Sequence, residues 1–191
     1  MQANSELNEV LLWKDFLKGN QNALSKIYIS NSKALYDYGC KFTGDKNLVK
    51  DCIQDLFITF IQTRTRLSET THVKGYLLKS LKRKIIRESV KKHKFEEIVE
   101  SGDYRFEIEF EKLSYIEYEN DNYSLKALAI RSAIESLTSR QKEALYLRFN
   151  MGLRHKEIAD ILHLTNQSSR ALISRSVNKL RDVIHAEKKR I

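Results

Sequence analysis

Apolar residues recur along this chain at three- and four-residue intervals, in one segment after another, which is the spacing of amphipathic helices. Residues 6–18 place Leu7, Val10, Leu11, Phe16 and Leu17 in such a pattern, which ends at Gly19. Residues 22–42 set Leu24, Ile27, Tyr28, Leu35, Tyr38 and Phe42 near one face, with Gly44 as the expected stop. Residues 47–63 carry Val49, Cys52, Ile53, Leu56, Phe57, Phe60 and Ile61, an apolar side too wide for an ordinary solvent-facing helix. A polar loop, RTRLSETTH, spans residues 64–72. Residues 73–94 then form a basic helix, with Tyr76, Leu77, Leu81, Ile85 and Val90 inward and Lys79, Lys82, Arg83, Arg87 and Lys91 outward. Periodicity lapses over residues 95–122, where Phe95, Tyr104, Phe106, Phe110, Tyr115 and Tyr118 are scattered, and this stretch is expected to be a linker with a short helix around residues 107–118. Helical spacing restarts over residues 123–136 with Leu125, Leu128, Ile130 and Ile134.

The C-terminal part has the clearest pattern. Leu137, Ala144, Leu145, Leu147 and Phe149 mark a helix for which Thr138 and Gln141 fit a capping box, and Gly152 suits its left-handed end. Residues 154–162 follow with Ile158, Ala159, Ile161 and Leu162. Only His163, Leu164 and Thr165 separate them from a longer basic segment with Ser169, Ile173, Val177 and Leu180 at helical spacing. Two short helices, a three-residue turn and a longer basic helix predict a helix-turn-helix, whose last helix lies in the DNA major groove. Asn166, Gln167, Ser168, Ser169 and Arg170 form a polar run in its first turns, able to donate to and accept from base edges. Arg175, Lys179 and Arg181 are spaced for phosphate contacts.

Composition agrees with an all-α chain: there is no Pro and there are only 6 Gly among 191 residues. No apolar run is long enough to span a bilayer, and the polar start MQANSELNEV does not resemble a signal peptide, so a cytoplasmic protein is expected. The 2 cysteines, Cys40 and Cys52, lack metal-ligand spacing and are expected to be reduced core thiols. Charge is unevenly spread. Residues 1–72 are nearly balanced, with nine basic and eight acidic residues, whereas residues 73–94 hold nine basic residues and one acidic. Residues 95–138 reverse this with four basic and eleven acidic, and residues 139–191 carry twelve basic and five acidic. Two basic blocks separated by an acidic one predict two nucleic-acid contacts on one chain.

Within residues 47–63, Asp51 and Asp55 stand one turn apart with Gln54 beside them. No His or third acidic ligand is spaced to join them, so neither a metal site nor acid–base catalysis is expected. Carboxylates ringed by Leu56, Phe57 and Phe60 suit a protein partner instead. Tyr76, near the start of the basic helix, fits either a base-stacking platform for single strands or a plain core residue. No Gly-rich phosphate loop or nucleophile constellation is present, which argues against an enzyme, and no cofactor is expected.

The ordered motifs DCIQDLFITF, VKGYLLKSLKRKII, an acidic stretch and LTSRQKEALYLRF–GL–KEIADIL–NKLR resemble the group IV (extracytoplasmic-function) sigma factors of bacterial RNA polymerase, within the sigma-70 family. The resemblance covers nearly the whole chain and implies a region 2-like domain at residues 1–94, an acidic linker at residues 95–122 and a region 4-like helix-turn-helix at residues 123–191. It implies that Asp51, Gln54, Asp55, Leu56, Phe57 and Phe60 bind the β′ clamp of core polymerase. The loop at residues 67–74 and the basic helix would open the downstream (−10) promoter element, with Tyr76, Lys79, Lys82, Arg83, Lys84 and Arg87 as contacts. Arg154, Lys156, Asn166, Gln167, Ser168, Ser169, Arg170, Arg175 and Lys179 would meet the upstream (−35) element. An anti-sigma factor is an implied partner.

Some positions depart from the family pattern. Lys84 stands where many members have Asn. Arg154 replaces the usual Ser or Thr cap, which removes a contribution of roughly 1 kcal/mol. His163 replaces a turn Gly, Ser169 a buried Val, and Leu172 an Arg or other polar residue, and NQSSRALISR is closer to versions found in Bacteroidota. The expected function is a sigma factor directing core RNA polymerase to promoters. The alternative is a dimeric helix-turn-helix regulator that binds duplex DNA without polymerase; the first basic block and the Asp51–Phe60 patch count against it.

Overall fold

The computed structural model describes residues 2–93, 104–108 and 130–188, and every regular element among them is helical. The chain divides into two compact units, Met1–Tyr104 and Arg105–Ile191.

Among the described residues the first unit contains the α-helices α1 (Gln2–Leu17), α2 (Gln21–Gly39), α3 (Lys46–Thr63) and α4 (Val73–His93), with a 3-10 turn at Arg64–Arg66 between the last two. The short breaks between them are built by side chains. Asn20 Oδ1 accepts from the Ala23 N–H at 3.3 Å, and Asp45 Oδ1 accepts from Asn47 and Leu48 at 3.1 and 2.9 Å, so orphan amides at the starts of α2 and α3 are satisfied. Helix α2 stops at Gly39, earlier than the expected Gly44. Its last turn tightens, with Lys41 N–H bonding Tyr38 O and Phe42 N–H bonding Gly39 O, which turns Phe42 back onto Tyr38 at a ring separation of 5.0 Å. Gly39 itself is required by close approach. A Cβ there would lie 2.6 Å from Val49 Cγ1, so any side chain would wedge α2 away from α3.

Helix α4 packs against α1, α2 and α3. Leu77, Leu78, Leu81 and Ile85 are wholly buried, so the most basic of the described helices also contributes heavily to the core of its unit. Long cationic side chains permit this by covering apolar neighbours with their stems and reaching water with their tips. In α1 the buried side chains are Trp13 and Phe16, whereas Leu7 and Leu11, expected inside, are 62% and 54% exposed. The indole sets the rotation of α1, because its ring meets Phe16, Phe60 and Tyr76 at 5.5–5.6 Å.

The second unit contains a helical stretch at residues 130–135, then α5 (Ser139–Leu145), α6 (His155–Leu162) and α7 (Asn166–Lys188). The predicted capping box is present: Thr138 Oγ1 accepts from Gln141 N–H, and Gln141 Oε1 accepts from Thr138 N–H at 3.0 Å. Helix α5 widens into a π turn at Tyr146–Asn150, closed by Met151 N–H on Tyr146 O. The wider turn swings Phe149 to 69% exposure, although its spacing predicted a core position. Gly152, at φ 71°, lets Leu153 N–H reach Leu147 O and ends the segment. Phe106, from the expected linker, is fully buried and meets Tyr146 at 5.7 Å, so this aromatic belongs to the core of the second unit. Of the expected helix at residues 107–118, residues 107 and 108 are not helical and the remainder lies outside the described residues.

Candidate nucleic-acid interface

The turn between α6 and α7 is the hinge of the helix-turn-helix. His163 holds a left-handed conformation, φ 52° and ψ 51°, at the C-terminal end of α6, where Gly would meet no Cβ penalty. Its amide bonds Ala159 O, and the Arg140 guanidinium donates to Leu162 O at 2.8 Å, so carbonyls at the end of α6 are satisfied from two directions. Thr165 opens the next helix. Its Oγ1 accepts from Ser168 N–H at 3.0 Å, a capping role hidden in a residue read as plain turn.

On α7, Asn166, Gln167 and Arg170 are exposed in the first turns, and Ala171, Ser174, Arg175 and Asn178 continue the exposed face. Ser168 is half-buried. Ser169 is completely buried, which removes it from any base-reading face and corrects its assignment there. The i, i+4 register with Ile173 points Ser169 inward. Ala171 and Ser174 are the face residues that polarity alone did not single out. Lys179 is exposed, but its Nζ donates to Ser136 O and so ties α7 to the preceding segment.

The start of α6 gathers positive charge. Arg154 occupies the N-cap position, and its guanidinium, which has only donors, cannot accept from the helix amides. Glu157 takes over half of the task, since its Oε2 accepts from Arg154 N–H at 2.6 Å and lies 3.6 Å from Arg154 Nε. Lys156 is exposed. Beside them, burial and then the charges of Arg148 and Arg170 push the His155 imidazole below its ordinary pKa, and its Nδ1 is buried without a hydrogen-bond partner among the described residues.

In the first unit, Arg83 and Arg87 are exposed on α4 and Lys79 is half-buried on the same stripe. Lys82, expected outward, is instead buried, at only 8% exposure. Lys84 Nζ lies 3.1 Å from Asp55 Oδ2. Tyr76 is half-buried in an aromatic cluster, stacked on Phe60 at 5.7 Å and edge-on to Trp13 at 5.5 Å. The loop before α4 is held to the body of the unit, for Trp13 Nε1 donates to Ser68 O at 3.1 Å and Lys14 Nζ lies 3.2 Å from Glu69 Oε2. The single Trp of the chain, three residues before Phe16, was the available signal for this anchor.

Helix α3 presents a different surface from the one expected. Leu56, Phe57 and Phe60 are core residues, 5%, 7% and 3% exposed, and Phe57 packs edge-on against Tyr28. The outward stripe consists of Asp51, Gln54, Asp55, Ile58, Ile61 and Gln62. Ile58 and Ile61, at 42% and 49% exposure, supply the apolar part of this face. A helix packed against both α2 and α4 buries most of its apolar residues, and Ile58 and Ile61, which follow the carboxylate register, remain outside. Cys52 is buried and its thiol pKa is raised by that burial, whereas Cys40 is half-exposed, and both are free. Among the described residues no group of three or more His, Cys, Asp or Glu could hold a metal ion, and no helix is long and apolar enough to cross a membrane.

A short helix, a left-handed turn at His163 and a longer basic helix with a polar outer face make a helix-turn-helix. Residues 127–180 match the family described as Sigma-70, region 4. No curated protein matches the chain in sequence. Among solved structures, CnrH in complex with the cytosolic domain of CnrY is similar at a TM-score of 0.62 with 17% identity, over 94% of this chain and 98% of that one. The sigma factor RpoE from Bartonella quintana, in complex with the anti-sigma factor NepR, is similar at a TM-score of 0.57 with 16% identity, over 84% of this chain and 96% of that one. The chain has the fold of a sigma factor.

Proposed function

We propose that this chain is a group IV sigma factor that directs core RNA polymerase to specific promoters and acts by binding alone, in the cytoplasm, without a cofactor. The observation that carries the reading is the sigma-70 region 4 match over the helix-turn-helix, joined in one chain to a first unit with a strongly basic central helix. In this reading Asn166, Gln167 and Arg170 face base edges of the upstream element, and Arg154, Lys156 and Arg175 meet phosphates. Lys79, Arg83 and Arg87 hold the downstream element as it opens, and Tyr76 supports that surface through its aromatic cluster. Asp51, Gln54 and Asp55, with Ile58 and Ile61, form the docking face for polymerase. An anti-sigma factor is the expected regulatory partner, as NepR is for RpoE in its complex.

Run-off transcription with purified core polymerase, with and without the chain, tests the proposal on a library of upstream regions from the source genome. Discrete start sites that depend on the chain are the expected result. Tight duplex binding by the chain alone, as a dimer and with no gain in initiation, would overturn it.

A further inference from the structure

Lys82 is out of place for a residue on a DNA-binding helix. It lies next to the exposed Arg83, yet only 8% of it is accessible. A lysine ammonium is strongly hydrated, and burying it costs free energy unless other groups replace its water. Aromatic rings are among those groups here. Lys82 Nζ stands 4.0 Å from the ring centroid of Tyr104 and 5.9 Å from that of Phe42, and the two rings lie 5.7 Å apart.

Phe42 is a fixed wall, because it is 8% exposed and its ring is packed on Tyr38. Tyr104 is different. It belongs to the irregular stretch at residues 104–108, so its backbone makes no helical ladder that would break if the ring moved away. The cation thus stands between a core ring and a ring carried by an irregular segment.

We infer that Tyr104 is an autoinhibitory latch, which covers Lys82 in the free chain and releases it when nucleic acid engages α4. The inference rests on the proposed role of α4 as a nucleic-acid surface. A phosphate is a stronger partner for an ammonium than a ring face, so a strand arriving along Arg83 and Arg87 draws Lys82 out and displaces Tyr104. Until then the competent state is a minor one, and apparent affinity falls by its fractional population. A desolvated cation–π contact corresponds to an affinity change of roughly three- to thirty-fold.

The test uses the full chain and its Y104A, Y104F and K82M variants, with circular dichroism to establish that each is folded. Amine acetylation followed by peptide mass spectrometry reads the accessibility of Lys82, with Lys79 as internal reference. Fluorescence anisotropy with labelled single-stranded oligothymidine reads binding. Y104A is expected to accelerate Lys82 acetylation relative to Lys79 and to tighten oligonucleotide binding roughly three- to thirty-fold. Y104F, which keeps the ring, should behave as the parent, and adding K82M to Y104A should abolish the gain. Unchanged Lys82 acetylation in Y104A would overturn the latch whatever α4 binds. Faster acetylation with no oligonucleotide binding by any variant would instead overturn the nucleic-acid reading, and with it the inhibitory role of the contact.

Discussion

Lys84 Nζ and Asp55 Oδ2 are 3.1 Å apart, so a residue assigned to promoter DNA and one assigned to polymerase form a single ion pair across α3 and α4. The pair is asymmetric: the Asp55 side chain is 59% exposed, whereas that of Lys84 is 15% exposed. Loss of the carboxylate leaves a largely covered ammonium without this partner, and loss of the ammonium leaves a carboxylate that water serves well. Asp55→Ala is therefore expected to lower stability by about 1 kcal/mol and Lys84→Met by less, with solvent screening limiting both. Chemical denaturation of the two single variants and the double variant measures the coupling. Equal losses in the singles would remove the asymmetry. A polymerase-binding defect in Asp55→Ala should be read against Lys84→Met for the same reason.

Phe57 and Ile58 are neighbours with opposite expected phenotypes. Phe57→Ala removes a core ring and is expected to cost about 3–5 kcal/mol, so any transcription defect in it reports lost folding. Ile58→Lys changes an outward residue and should alter stability by no more than about 0.5 kcal/mol. If the α3 stripe docks polymerase, Ile58→Lys lowers pull-down by core enzyme and run-off yield while its melting curve stays at the parent's. A parent-like yield would remove Ile58 from the docking face.

Ser169 Oγ is fully buried and lacks a hydrogen-bond partner among the described residues. An unsatisfied buried hydroxyl is unfavourable, so Ser169→Ala should stabilise the second unit by about 1 kcal/mol. Because the residue is turned away from the exposed face of α7, duplex affinity should not change. Thermal unfolding and anisotropy on the same preparation check both halves. A weaker complex would mean that Ser169 acts in recognition after all.

His155 links stability to pH. Its folded pKa lies below the ordinary 6.5, chiefly through burial and further through Arg148 and Arg170. The unfolded chain therefore takes up a proton at this site before the folded one does as pH falls through about 6.5. Its stabilising effect is full above that value and is lost as pH falls through the lower folded pKa. His155→Gln should flatten the decline of melting temperature between neutral pH and about pH 5. Parallel declines in parent and variant would show that other groups set the acid response.

The all-α class, the helix-turn-helix, its capping box at Thr138 and Gln141, and the two basic blocks were legible in the sequence. These features depend on local chemistry: a 3.6-residue period, side chains that cap nearby amides, and charge counted along the chain. The left-handed conformation of His163 was foreshadowed only by the resemblance, in which the position is a turn Gly. Which apolar residues stay outside was set by packing between helices. Leu7 and Leu11 fit the period of α1 as well as Trp13 and Phe16 do, and packing against Phe60 and Tyr76 chose between them. Likewise Phe57 and Phe60 went inside and Ile58 and Ile61 stayed out, because α3 packs against both α2 and α4. Lys82 lay beyond sequence reasoning altogether. Its ammonium stands over the ring of Tyr104, twenty-two positions away, and a contact at that separation has no signature in any local period.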